Sequence, residues 1–174
     1  QRAQTTPQAF RQDLIQAFLG DGVLHDSQQQ TLDLLDARHS VLTIMGTGRG
    51  KSLIFQIHAA ELALGKQTTS LFVYPLRALV ADQAFHLERT LGSFGITIGV
   101  LTGATSLPER AQIMTDLANG ELDIILTTPE YLDFHKDELA QISSIGFVDP
   151  SIIILVNPSL SASIQIGNPS PWSK

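Results

Sequence analysis

The chemistry of this sequence is concentrated in eight consecutive residues: Met45, Gly46, Thr47, Gly48, Arg49, Gly50, Lys51 and Ser52. Three glycines within five positions let a backbone turn tightly and aim successive N–H groups at one anion. Lys51 adds a positive charge on a long stem, and the Ser52 hydroxyl offers an oxygen ligand to a hard cation such as Mg²⁺. Together these residues read as a phosphate-binding loop, with amides around the phosphates, Lys51 on the outer two and Ser52 on the bridging metal ion. An ordinary glycine-rich turn is the alternative. T-G-x-G-K-S arises by chance about once in ten thousand chains of this length at average residue usage, so the loop is the better reading. Lys51 is the candidate catalytic residue.

Such a loop needs a buried strand to deliver it and a helix to receive it. Ser40 to Met45 has β character, and Leu53, Ile54, Ile57, Ala60, Leu62 and Leu64 recur at helical spacing over 51–64, with Gly65 as the expected stop. Upstream, 7–19 reads as a helix capped by Thr6 and ended by Gly20, and 27–37 as a second one capped by Asp26 or Ser27. Downstream, apolar runs at 70–74, 96–101, 122–127 and 144–148 alternate with helical stretches at 77–91, 106–118 and 130–142. Ser106 and Glu109 form an S-x-x-E box at the head of the second of these stretches. Short apolar strands alternating with helices predict an α/β fold, a mostly parallel sheet with helices on both faces.

The 174 residues suffice for one such domain. With no cysteine, a disulfide scaffold and a thiolate metal site are excluded. The longest apolar run, Ile152 to Val156, is far below the roughly 18 residues of a membrane span, and no leader pattern opens the sequence, so the expected compartment is cytoplasmic, with no membrane partner. Eleven basic against seventeen acidic residues give a net charge of −6, so contact with a nucleic acid would have to be local. After Asp149 the composition changes: 150–174 has no acidic residue, four of the eight prolines and one lysine. Residues 1–149 are therefore expected to form the domain and 150–174 a divergent tail, in which Ile152 to Val156 can still make a strand.

The loop resembles that of superfamily 2 helicases, and within them the RecQ branch, whose M-P-T-G-G-G-K-S is matched with Gly46 for proline and Arg49 for the middle glycine. Three further elements carry the resemblance. Gln28 stands where the branch has an adenine-reading glutamine, although Leu24-His25-Asp26-Ser27 replaces its usual F-R-P-G. Pro75-Leu76-Arg77-Ala78-Leu79-Val80-Ala81-Asp82-Gln83 is similar to the motif P-L-x-x-L-x-x-D-Q, and Thr127-Thr128-Pro129-Glu130-Tyr131-Leu132 to T-P-E-x-L. The resemblance covers about 10 to 148 and implies a RecA-like lobe that uses ATP and Mg²⁺. It makes Gln28 and Gly46 to Ser52 the nucleotide contacts, and Pro75, Leu76, Arg77, Thr128, Pro129 and Glu130 the nucleic-acid contacts. Ser52 and Asp149 fall on the metal side.

Where the family has D-E-x-H, this sequence has Asp149-Pro150-Ser151-Ile152, so the glutamate that orients the attacking water is replaced by proline. The resemblance also implies partners: DNA, in single-stranded form, and a second lobe of a larger parent polypeptide. Loss of hydrolysis and of unwinding is expected for this chain alone, and a truncation or frameshift near residue 149 is the expected origin of the divergence. Two other readings stay open at this point, a different P-loop ATPase or kinase and a non-functional helicase fragment. His135 and Glu138 read as surface groups of a capped helix.

Overall fold

The structure, a computed structural model, describes residues 10–45, 50–66, 68–135, 148–155 and 163–167. In chain order it contains α1 (Arg11–Leu19), α2 (Asp26–Asp36), β1 (Ser40–Ile44), α3 (Lys51–Lys66), β2 (Thr69–Val73), α4 (Arg77–Leu91), β3 (Ile98–Leu101), α5 (Leu107–Ala118) and β4 (Ile124–Thr127). A helix α6 follows from 129 and is described to 135, and β5 (Val148–Leu155) and β6 (Ser163–Gly167) complete the chain.

Four strands form a parallel sheet in the order β3-β4-β2-β5. Side-chain alternation divides it into two faces. Phe72 of β2 and Ile124 and Leu126 of β4 join one core with Leu14 of α1, Ile57 and Ala60 of α3, and Val80, Leu87 and Leu91 of α4. The intervening Ile125, with Leu101 of β3, joins a second core with Ile113 and Leu117 of α5 and Tyr131 of α6. Helices thus cover both faces, and the lobe is RecA-like α/β.

Most local expectations match to within two residues, and α4 has the expected bounds. Gly65 does not stop α3, which continues to Lys66. A helical glycine costs only about 1 kcal/mol against alanine, less than α3 gains by burying Ala60, Ala63 and Leu64. The cap of α2 is His25 rather than Asp26 or Ser27, since its main-chain N–H donates to Gln28 Oε1 at 2.8 Å in a reciprocal capping box. α1 is described from Arg11, so the Thr6 cap lies outside the described residues, while Gly20 ends it in positive φ.

The main differences are at the two ends of the sheet system. β1 pairs antiparallel with β6, a strand within the proline-rich tail, in a separate two-stranded sheet. The expected strand at 144–148 lies outside the described residues except for Val148, which opens β5. β5 runs through the 149/150 composition boundary. It pairs Val148 with Thr69 and then, after an irregularity, Ile153 to Leu155 with Leu71 to Val73. Pro150 has no N–H to give a ladder and falls in the irregular stretch, while the apolar run 152–155 supplies regular pairing.

Candidate nucleotide site and nucleic-acid interface

Gly46, Thr47, Gly48 and Arg49 lie outside the described residues, but both ends of their loop are described. Lys51 opens α3, and its Nζ donates to the Met45 carbonyl at 2.6 Å, spanning the loop from its last residue back to its first. Ser52 follows in the first helical turn, where main-chain amides have no partner within the helix and the positive end of the helix lies. Gly50 has φ +71°, and a Cβ there would sit 2.5 Å from Gln28 Nε2, so the turn has been shaped around that amide. Gln28 Nε2 donates to the Gly50 carbonyl at 3.2 Å. The glutamine singled out by the resemblance therefore does touch the loop. An ammonium, a helix amino end and a hydroxyl are a donor set that fits a polyphosphate with a divalent cation.

Beside Gly50 opens a cleft of about 320 Å³ lined by Phe18 and Leu19 of α1, Val23 and His25 of the α1–α2 connection, Gln28, Leu53 and Gln56, and His86 of α4. Apolar side chains interleaved with amide and imidazole groups suit a flat heteroaromatic base that carries ring nitrogens. Phe18 and Leu19 were not legible as site residues because a helical apolar stripe reads as core, and Val23 and His25 were not because they lie in an ordinary connection. Gln56 Nε2 also donates to Gln83 Oε1 at 3.3 Å, linking the cleft to the last residue of the P-L-x-x-L-x-x-D-Q segment.

A buried ionic cluster lies at the other end of α1. Arg11 Nε and Nη2 donate to the two carboxylate oxygens of Glu61 at 2.6 Å each, and Nη2 donates to Asp36 Oδ1 at 3.1 Å. Glu61 is fully buried. Burial pushes its carboxyl above the usual range, against the hydrogen bond and charge of Arg11 and with the charge of Asp36. Burial works to lower the Arg11 guanidinium, but Glu61 and Asp36 outweigh it and raise it. Asp36, His58 and Glu61 bring ligand atoms within 4.8 Å of one another, as a metal site requires. Both Glu61 oxygens, however, are taken by the guanidinium, so the cluster is an ion-pair site.

The nucleic-acid candidates meet at the carboxyl ends of the strands. Val73 and Leu101 both pair with Thr127, and Tyr74 N–H donates to the Thr127 carbonyl at 2.9 Å, so β2, β3 and β4 end level. Pro75, Leu76 and Arg77 leave β2 at this edge, all exposed, and Leu76 caps α4. Thr128, Pro129 and Glu130 leave β4 beside them. Thr128 is buried and its Oγ1 accepts from Tyr131 N–H at 3.4 Å, whereas Pro129 and Glu130 are exposed. From β3 comes the 102–106 turn, ending in Ser106, whose Oγ accepts from Glu109 N–H. Arg110 of α5 bonds His135 Nδ1 at 2.9 Å, and His135 leans on Tyr131 in a tilted contact with ring centroids 4.3 Å apart. His135 is thus part of the α5–α6 contact rather than a solvated helix face. Glu138 lies outside the described residues.

Asp149 is set elsewhere. The Val148–Thr69 pairing puts it toward the amino-terminal end of β2, opposite the edge from which Arg77 and 128–130 emerge.

Residues 25–154 match the family model described as DEAD/DEAH box helicase. The chain belongs to that family. The helicase lobe is similar to ATP-dependent DNA helicase RecQ of Synechocystis, 36% identical over 105 residues that make up 60% of this chain and 20% of the relative. It is also similar to the RecQ of Pasteurella multocida, 30% identical over 118 residues, 68% of this chain and 17% of the relative. The lobe therefore spans no more than about a fifth of the curated relatives it matches. Among solved structures, the DUF1998 helicase MrfA bound to DNA and AMPPNP shares the fold, with a TM-score of 0.65 over 83% of this chain and 20% of that one at 21% identity. The DEAD/DEAH family in general uses ATP and Mg²⁺. Among the described residues, no helix is long and apolar enough to cross a membrane.

Proposed function

We propose that this helicase lobe binds Mg·ATP and a DNA strand as the nucleotide-binding part of a RecQ-like DNA helicase. The observation that carries this reading is the convergence of Gln28, Gly50 and Lys51 beside a base-sized cleft. The cleft takes adenine against Phe18 and Leu19, with Gln28 at its inner end next to the loop. Gly46 to Gly50 and the first turn of α3 hold the triphosphate through main-chain amides, Lys51 turns from Met45 to the phosphates, and Ser52 ligates Mg²⁺. Bound ATP supplies a γ-phosphoryl group for transfer to water. With Pro150 following Asp149 in place of a glutamate, no carboxylate of the expected box orients that water, and turnover by this chain is slow. Arg77 and the 128–130 turn hold the phosphates of a single strand without reading its sequence. Translocation, and any role in DNA repair or recombination, belongs to a longer enzyme with a second lobe.

The test is titration of Mg·ATP into the wild type and Lys51→Ala. A loss of at least tenfold in affinity, with an unchanged circular dichroism spectrum, is expected. Equal affinities would overturn the assignment of the loop. DNA-stimulated hydrolysis, even if slow, separates this reading from a P-loop kinase, whose phosphoryl transfer would ignore DNA.

A further inference from the structure

Of the four helices that line the base-side cleft, α1, α2 and α3 also reach the ionic cluster further along their length. α1 presents Phe18 and Leu19 to the cleft and Arg11 to the cluster, about 12 Å away along the helix. α2 presents Gln28 at one end and Asp36 at the other, and α3 presents Leu53 and Gln56 at one end and Glu61 further along. α1 runs from cluster to cleft, whereas α2 and α3 run from cleft to cluster. The fork of Arg11 takes both oxygens of Glu61 and reaches the carboxylate of Asp36, so a single guanidinium ties α1 to α2 and α3, which also pack on each other through the apolar core. This matters most for α1, a helix of nine residues that is too short to be stable alone.

We infer that Arg11 is a positioning residue for nucleotide binding, holding α1 so that Phe18 and Leu19 form the wall against which the base lies. This rests on the nucleotide reading above and adds a division of labour to it. The base-side wall depends on the Arg11 cluster, while the phosphate grip of Lys51, Ser52 and the loop does not, because none of those groups is carried by α1. The cluster therefore sets how much more tightly the lobe holds ATP than a bare polyphosphate.

The test compares Mg·ATP with Mg·tripolyphosphate, by calorimetric titration of the full 174-residue chain, in the wild type, Arg11→Met, Arg11→Lys and Asp36→Asn. Arg11→Met keeps the apolar stem and removes the fork. It is expected to weaken ATP binding at least fivefold while leaving tripolyphosphate affinity within twofold. Arg11→Lys, which restores the charge but not the fork, should recover part of the loss. Asp36→Asn perturbs only the longer 3.1 Å contact and should shift ATP binding in the same direction by a smaller factor, which keeps the test available if Arg11→Met unfolds. Parallel losses for both ligands, or no change in either, would overturn the inference. Lys51→Ala is the control for the underlying reading: if it leaves both ligands unaffected in the wild-type background, the nucleotide assignment fails rather than the role of Arg11.

Discussion

On the nucleotide side, Gln28 and Lys51 reach main-chain carbonyls 22 and six residues away, and Arg11 reaches a carboxylate 50 residues away. At the strand ends, Arg77 and the 128–130 turn are placed by the register of β2 on β4 and by the Tyr74 to Thr127 hydrogen bond. One region is held by side chains crossing between helices, the other by the backbone ladder. Side-chain anchoring makes the cleft sensitive to single substitutions at a distance. Ladder anchoring leaves the nucleic-acid edge tolerant of them, because removing one side chain leaves every ladder bond in place.

The comparison breaks most severely where the two regions share an element. Phe72 of β2 is fully buried and meets Phe55 of α3 edge-on, with ring centroids 5.0 Å apart. Phe72→Ala should cost about 3–5 kcal/mol and loosen cleft and edge together, as read from urea unfolding. Gly50→Ala tests the nucleotide side alone. A left-handed alanine costs about 1–2 kcal/mol, and its Cβ would push Gln28 from the loop. ATP affinity should fall by several-fold while DNA binding is retained, and a titration of each ligand checks this.

On the ladder side the expected change has the opposite sign. Tyr74, at the end of β2, is buried with its hydroxyl unpartnered among the described residues, and burial pushes that hydroxyl's pKa up. Tyr74→Phe removes a desolvated group without disturbing the ladder and should raise stability by about 1 kcal/mol in the same urea assay. A destabilisation there would mean that the hydroxyl has a role at the edge.

The smallest effect is a pH dependence. Burial holds the Glu61 pKa above its unfolded value, so the folded state binds the proton more tightly. Its contribution to stability is then fully present below the unfolded carboxylate pKa and is lost as pH rises through the folded one. The stability difference between wild type and Glu61→Gln should therefore drift down shallowly from the ordinary carboxylate range upward and then level. Urea midpoints at a series of pH values would show it, and a rise over that window would contradict it.

Much of this was legible beforehand for local reasons. The bounds of α4, the Ser106 cap and the apolar runs of β2 and β4 depend on residues a few positions apart, which a sequence displays directly. Gln28 was singled out by the resemblance to the RecQ-branch motif upstream of the loop, and the structure does bring it to Gly50. The cleft wall was not legible, since Phe18 and Leu19 look like any apolar stripe until α1 is docked. β6 was missed because Ser163 to Gly167 is short and lies among turn residues, and only a partner in β1 makes it a strand.

What the sequence by itself determined was the chemistry and the periodicity: a glycine-rich loop before a lysine and a serine, and strands alternating with helices. Only the tertiary structure decided that Arg11 meets Glu61, that β5 pairs with β2 in a register carrying Asp149 toward the far end, and that a cleft opens beside Gly50. Such contacts join residues dozens of positions apart. They are selected by shared burial and register across the whole chain, which no short window of sequence contains.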